Sequence, residues 1–280
     1  MANPIFSRSP IFSEKAAARA TANAANAPAV PAAPSAGQLA AQYAQPSATP
    51  DEMGRMTYED TLVKAAVGFG ILVVGAVIGW VLGDYIIVTI GAALIGFVLA
   101  MVNTFKREPV PALVLAYAFF EGVFVGGISF IYTVFVHSST LVPMAVFGTL
   151  GVVGVTLALF ASGKVRASKR ATKIFLVAII GYVAFSLVNV GLMATGVTSS
   201  AFGLRDSVEI FGIPLGVPLG ILVVLLCAYS LVLDFDAIQR GVTNGAARKY
   251  SWTAVFGLIV TIVWLYLEIL RLLALLTGRR

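Results

Sequence analysis

The sequence predicts an all-α, polytopic membrane protein, a seven-transmembrane-helix bundle with a disordered N-terminal tail. Of its 280 residues, 59% are hydrophobic and 11% are charged, whereas a soluble domain carries roughly 25% charged residues to cover its surface. Seven apolar runs follow one another, and most approach the roughly 20 residues that span a hydrocarbon core about 30 Å thick. Lysine and arginine concentrate in alternate connections between the runs, as expected for a polytopic protein.

The tail, residues 1–56, is rich in Ala, Pro, Ser and Asn. It has no sustained hydrophobic period and too little apolar surface to fold alone, so we expect a disordered cytosolic segment. It lacks the apolar core of a secretory signal peptide. Its Arg, Ser and Ala content leaves a transit peptide as an alternative.

The remaining domain, residues 57–280, contains the apolar runs Leu62–Leu82, Tyr85–Val102, Val110–Val136, Pro143–Ala161, Ile174–Thr195, Val217–Leu233 and Ala254–Leu276. We predict helices, because a lipid-exposed backbone must satisfy its own hydrogen bonds. The sixth run is short, and we expect its helix to continue through Asp234 and Asp236. Gly75, Gly79 and Gly83 lie on one face of the first helix, which favours close packing within the chain over a dimer seam.

Basic residues set the orientation. With the N-terminus in the cytosol, the external connections contain only Arg205. The internal connections contain Lys106, Arg107, Lys164, Arg166, Lys169, Arg170, Lys173, Arg240, Arg248 and Lys249. We therefore predict a multi-pass protein of the cell membrane, in a bacterium the plasma membrane, with a cytosolic N-terminus and an external C-terminus. This distribution explains the net charge of +6 without a nucleic-acid partner.

Charged side chains within the spans are costly, so each is a candidate functional residue: Glu121, Asp234, Asp236, Glu268 and Arg271. Asp234 and Asp236 point about 200° apart around a helix, so one of them can face the bundle and the other water. Glu268 and Arg271 share a face and can form an internal ion pair, while a hydrogen-bonded structural carboxyl is the simplest role for Glu121. Four carboxyls against one basic residue suit cations or protons better than anions.

The other reactive side chains indicate no catalytic centre. Cys227 is the one cysteine and is expected to be a packing residue. The one histidine, His137, is expected in a solvated connection. Since no nucleotide-binding loop, Ser/His/Asp set or metal cluster is present, we expect neither enzymatic activity nor a cofactor.

Three segments resemble the Bax inhibitor-1 family, the transmembrane Bax-inhibitor-motif proteins, in its bacterial branch. Ala116–Val123 is similar to the family's glycine-rich third-helix segment, Leu231–Ile238 to its sixth-helix aspartate motif, and Leu265–Leu270 to its seventh-helix acidic motif. Phe-Asp follows Asp234 where Thr-Gln is common in the family, and Glu268 stands where Asp is usual.

The resemblance covers roughly residues 60–276. It implies a seven-helix bundle with a central last helix, and a pH-sensitive calcium leak. It also implies that a carboxyl pair latches the pore, with Glu268 as one member and Asp234, or alternatively Asp236, as the other. We expect Asp234 and Glu268 to meet, to share a proton and to be candidate Ca²⁺ contacts. A second hypothesis is a non-conducting regulator that binds another membrane protein, such as a membrane protease.

Overall fold

The computed structural model describes residues 35–37, 53–198, 200 and 202–278. Most of the predicted tail lies outside these ranges, so its disorder stays a prediction. The helices described below belong to one compact unit, Thr49–Arg280.

Seven helices in the described part are long and apolar enough to cross a membrane. They are α1 (Tyr58–Val81), α2 (Ile86–Phe105), α3 (Pro111–Val136), α4 (Leu141–Ala161), α5 (Lys169–Ala194), α6 (Gly216–Thr243) and α7 (Ser251–Thr277). A one-turn helix, Leu204–Ser207, and a hairpin of β1 (Glu209–Ile210) and β2 (Ile213–Pro214) connect α5 to α6, and a 3₁₀ turn, Arg248–Tyr250, precedes α7. The predicted all-α, seven-span fold is confirmed.

Local sequence explains where several helices begin and end. The hydroxyl of Thr57 accepts a hydrogen bond from the amide of Asp60 and caps α1. Proline at the first position of α3 is compatible with a helix start, because that N–H has no partner within the helix. His137 ends α3 in the left-handed conformation and is exposed, as expected for a residue of a connection. The sixth helix continues ten residues beyond Leu233, so the expected extension through both aspartates is confirmed.

The last helix lies at the centre of the bundle, as the family resemblance implied. It packs against α1, α3, α4 and α6. Val255, Ile259, Leu265 and Leu270 of α7 are completely buried. In contrast, α5 has the smallest buried share of the seven spans, and most of its surface is apolar and exposed.

Glycines bring α1 and α3 into direct backbone contact. A methyl group on Gly75 or Gly79 of α1 would overlap the backbone of α3, and one on Gly122 or Gly126 of α3 would overlap the backbone of α1. Contrary to the prediction from its spacing, Gly83 is not part of the first helix, because α1 ends at Val81. Gly83 lies in the following turn, against the ring of Phe130 of α3. The glycine stripe on the first helix therefore serves packing within the chain, as predicted.

The basic connections meet at one end of the bundle, which is called the basic end below. Lys249, before α7, forms an ion pair of 2.8 Å with Glu108 in the α2–α3 connection. This hydrogen bond from Lys249 lowers the pKa of the Glu108 carboxyl. Arg166, in the α4–α5 connection, donates to the Oε1 of Gln239 near the end of α6 at 2.6 Å. The alternation on which the predicted orientation rests is therefore present, and the cytosolic location of this end stays a prediction.

Residues 53–56, which the sequence analysis assigned to the tail, form an ordered segment that crosses the basic end. The amide of Met56 donates to the carbonyl of Ala246 at 2.7 Å, and the amide of Arg248 donates to the carbonyl of Gly54 at 2.8 Å. Met56 is also buried. The described fold thus begins by residue 53 rather than 57, because backbone pairing with a distant connection orders a segment that has no pattern of its own.

The predicted orientation is tested by labelling cysteines at the two ends. In whole cells, Ser139→Cys, in the exposed α3–α4 connection, should react with a membrane-impermeant maleimide. Ser162→Cys, at the basic end, should react only after permeabilisation. The native Cys227 is fully buried and provides a silent background. The reverse labelling pattern would show that the bundle is inverted.

The α1–α3 contact is tested with two alanines in the same helix. Gly79→Ala should lower the free energy of unfolding by about 1–3 kcal/mol, because its methyl group overlaps the backbone of α3. Gly70→Ala meets no atom within 4 Å and is the matched control. Thermal unfolding in detergent measures both, and equal melting temperatures would contradict the close contact.

Candidate functional site

Glu268 lies at the centre of a buried ionic cluster at the end of the bundle away from the basic end. Its side chain is 1% exposed. Its Oε1 accepts from Nη1 of Arg205 at 3.2 Å, and its Oε2 accepts from Nη1 of Arg271 at 2.7 Å. The hydroxyl of Tyr182 donates to Oε2 at 2.9 Å. The predicted ion pair between Glu268 and Arg271 is therefore present, within what we call the arginine–glutamate cluster: Tyr182, Arg205, Glu268 and Arg271.

Arg205 is the member of this cluster that the sequence analysis missed. It was counted only as the basic residue of the external connections, whereas the structure buries it. Its Nη2 donates to the hydroxyl of Tyr182 at 3.0 Å and to that of Ser186 at 3.3 Å. The side chain of Asn189 accepts from the amide of Leu204 at 2.7 Å and holds the one-turn helix in position. One feature of the sequence could have indicated this role: Arg205 is the single basic residue in the predicted external connections.

Asp234 lies in a different environment, in the half of α6 nearer the basic end. Its Oδ2 accepts from the hydroxyl of Thr261 on α7 at 2.7 Å. It lines a cavity of about 550 Å³ whose other lining residues include Met56, Lys106 and Arg107. Among the described residues, no lysine or arginine forms an ion pair with Asp234. This carboxyl therefore has a neutral hydrogen-bond partner and access to a cavity with a mainly apolar lining that also includes two basic side chains.

The predicted contact between Asp234 and Glu268 is not formed. Asp234 meets α7 at Thr261, two helical turns or about 10 Å from Glu268 along the axis. The helices α6 and α7 are antiparallel neighbours joined by a short connection, so residues equally distant from that connection lie at the same depth. The depth of Glu268 corresponds on α6 to the region of Gly220. The two carboxyls therefore share neither a proton nor a Ca²⁺ ion in this structure.

The structure distinguishes the two aspartates of α6. Asp236 forms an ion pair of 2.9 Å with Arg240, whose side chain is largely exposed. Asp234 instead faces α7, as its bond to Thr261 shows. The inward-facing residue, which the sequence left open, is Asp234.

Glu121 also differs from its simplest expected role. It lies midway along α3, close to Gly96 of α2. No hydrogen bond or ion pair connects it to another described residue. The expectation of a hydrogen-bonded structural carboxyl is therefore not met within the described part of the chain.

A second ionic cluster, at the basic end, was not predicted. Asp60 is buried and accepts from Lys64 at 2.5 Å, from Nε of Arg248 at 2.8 Å and from the hydroxyl of Ser251 at 2.7 Å. These bonds connect the start of α1 to the start of α7. The sequence placed Asp60 just before the first apolar run, where an acidic residue needs no partner. Within the described ranges, no group of three or more His, Cys, Asp and Glu side chains is arranged to hold a metal ion.

The arginine–glutamate cluster is tested by neutralising its acid. Glu268→Gln leaves two arginines without their carboxylate and should lower the free energy of unfolding by about 3–5 kcal/mol. Glu108→Gln is the matched control, since its ion pair with Lys249 is exposed and should contribute nothing measurable. Unfolding in detergent measures both variants. A Glu268→Gln protein as stable as the control would exclude a structural role for the cluster.

Comparison with known proteins agrees with the resemblance. A family model described as Bax inhibitor 1 like matches residues 3–278. The match extends through the N-terminal segment, which the sequence resemblance, at roughly residues 60–276, did not include. No curated protein matches the chain. Since the family model covers nearly the whole sequence, the chain belongs to the Bax inhibitor 1 like family.

Proposed function

We propose that this member of the Bax inhibitor 1 like family is a pH-sensitive cation leak channel, with Ca²⁺ as its ion. The observation that carries the proposal is the cavity of about 550 Å³ that contains Asp234, together with the absence of a basic partner for this aspartate among the described residues. A carboxylate in such a position attracts a cation or a proton, because it is partly buried within the span and forms no ion pair with Lys106 or Arg107, which line the same cavity.

The chemistry of the cavity supports this choice of ion and of regulator. Carboxylate and carbonyl oxygens are the ligands that Ca²⁺ prefers. Protonation of Asp234 removes its charge and with it the attraction for a cation, so flux through the cavity depends on pH. Glu121, which lies beside Gly96 and forms no hydrogen bond or ion pair with another described residue, is a further candidate for the pathway. Asp236 is bound to Arg240 and is the weakest candidate of the acidic residues.

At the other end of the bundle, the arginine–glutamate cluster acts as the barrier in this proposal. Two guanidinium groups repel an approaching cation, as arginines do in pores that exclude cations. Conduction therefore requires the bonds of Arg205 and Arg271 to Glu268 to open. Asp234 and Glu268 remain the central acidic residues, but they act at two separate points of the pathway instead of forming one latch.

A non-conducting regulator is the second candidate function. The observation that favours it is an apolar groove of about 490 Å³ that residues of α1, α3, α4 and α7 line, including Trp80 and Val146. Tyr266 and Ser129, which are hydrogen-bonded to each other at 2.7 Å, also line the groove. A transmembrane helix of another membrane protein, such as a membrane protease, fits this surface chemically. In both proposals the chain has no enzymatic activity and no cofactor and resides in the cell membrane.

The channel proposal is tested by Ca²⁺ flux into liposomes that contain the pure protein. Asparagine cannot ionise, so Asp234→Asn should show at every pH the flux that the wild type shows at low pH. Asp236→Asn, two residues away and outside the cavity lined by Asp234, should keep the wild-type pH dependence. A wild-type response in Asp234→Asn would exclude this aspartate as the sensor. Absence of any wild-type flux would favour the regulator.

A further inference from the structure

A second cavity, whose lining is part polar and part apolar, lies beside the arginine–glutamate cluster. Its volume is about 380 Å³, and its polar lining includes Tyr132, Tyr182, Ser186, Arg205 and Arg271. Residues of α3, α5, α7 and the α5–α6 connection form its wall. None of the described lining residues is acidic, and Glu268 is not among them. The cavity is therefore lined by two arginines, while the one carboxylate that both of them bind lies outside its lining.

The charges around this cavity do not balance. Arg205 and Arg271 share the single carboxylate of Glu268, so one positive charge remains in a largely buried site. An uncompensated buried charge is costly unless a counter-ion accompanies it. The two guanidinium groups donate five hydrogen bonds to Glu268, Tyr182 and Ser186, and Arg271 is also hydrogen-bonded to Tyr132. Each guanidinium carries five N–H donors. Donors therefore remain for an anionic ligand.

The depth of the cavity indicates which anion is nearby. Tyr132 lies four residues and Arg271 six residues before the end of its helix, which corresponds to about 6 and 9 Å along the axis. Helices of 26 and 27 residues exceed a hydrocarbon core of about 30 Å. The ends of α3 and α7 thus reach the headgroup layer, where lipid phosphates lie.

We propose that this cavity is a binding site for a phosphate group, from the headgroup of an anionic phospholipid or from a free phosphate ester. Arg271 is the principal ligand, because its side chain is 26% exposed whereas that of Arg205 is 6% exposed. A guanidinium pairs with phosphate through two parallel hydrogen bonds. The hydroxyls of Tyr132 and Ser186 line the same space. This site does not depend on the proposed channel activity.

The first test is a titration of the delipidated full-length protein in detergent at constant ionic strength. The probes are inorganic phosphate and short-chain phosphatidylglycerol, and binding is followed by the shift in melting temperature. Arg271→Gln should weaken binding about tenfold or more, as expected for the loss of a charge-assisted pair. Arg271→Lys should retain part of it. Arg240→Gln, which removes an exposed arginine at the basic end, should bind like the wild type.

A second variant separates ligand binding from a purely structural role. Glu268→Gln removes the competing carboxylate, so a phosphate should bind this variant more tightly and stabilise it more than it stabilises the wild type. If native mass spectra show phosphatidylglycerol retained by the wild type but not by Arg271→Gln, the lipid is the source of the phosphate group. Binding of inorganic phosphate alone would identify the free ester as the source. The site is excluded if neither probe binds, or if Arg271→Gln binds like the wild type.

Discussion

The buried carboxylate of Glu268 is the interaction on which the end of the bundle opposite the basic end depends. It belongs to the central helix and, apart from Arg271 of the same helix, its partners come from α5 and from the α5–α6 connection. Because α5 is mostly exposed to the surrounding membrane, apolar packing holds it only weakly. The bonds of Tyr182 and Ser186 therefore attach one half of α5 to the bundle, while Thr172 and Phe175 contact Tyr229 of α6 near its other end.

Two ionic clusters hold opposite ends of the central helix. Asp60 connects the start of α7 to α1 through Ser251 and Arg248, and Glu268 connects its other half to α5. Asp234 lies between the two clusters in depth and has only a neutral hydrogen-bond partner in the described structure. A charge that fixed arginines do not neutralise is free to respond to protons or cations. The structural acids and the candidate functional acid are thus distinguished by their partners.

The rigidity of the bundle is distributed unevenly. Along the α1–α3 interface the helices approach so closely that their glycines have no space for a methyl group. Sliding or separation there would break many contacts at once. Around α5 the contacts are fewer, and a cavity lies beside Arg205 and Arg271. For the proposed channel activity, we infer that the required conformational change involves α5 and the α5–α6 connection, while α1 and α3 keep their positions relative to each other.

The sequence by itself determined the elements of this protein. Bilayer thickness sets the length of each apolar run, and a membrane-spanning backbone must be helical, so all seven helices followed from composition. The pair of Glu268 and Arg271 also followed, because helical spacing alone brings residues three apart together. Only the tertiary structure decided which acids have partners from elsewhere in the chain. Arg205 is 63 residues from Glu268, and Arg248 is 188 residues from Asp60. The separation of Asp234 from Glu268 likewise depends on where α6 ends and α7 begins. Such distances arise from how helices pack and connect, which a pattern within one helix does not specify.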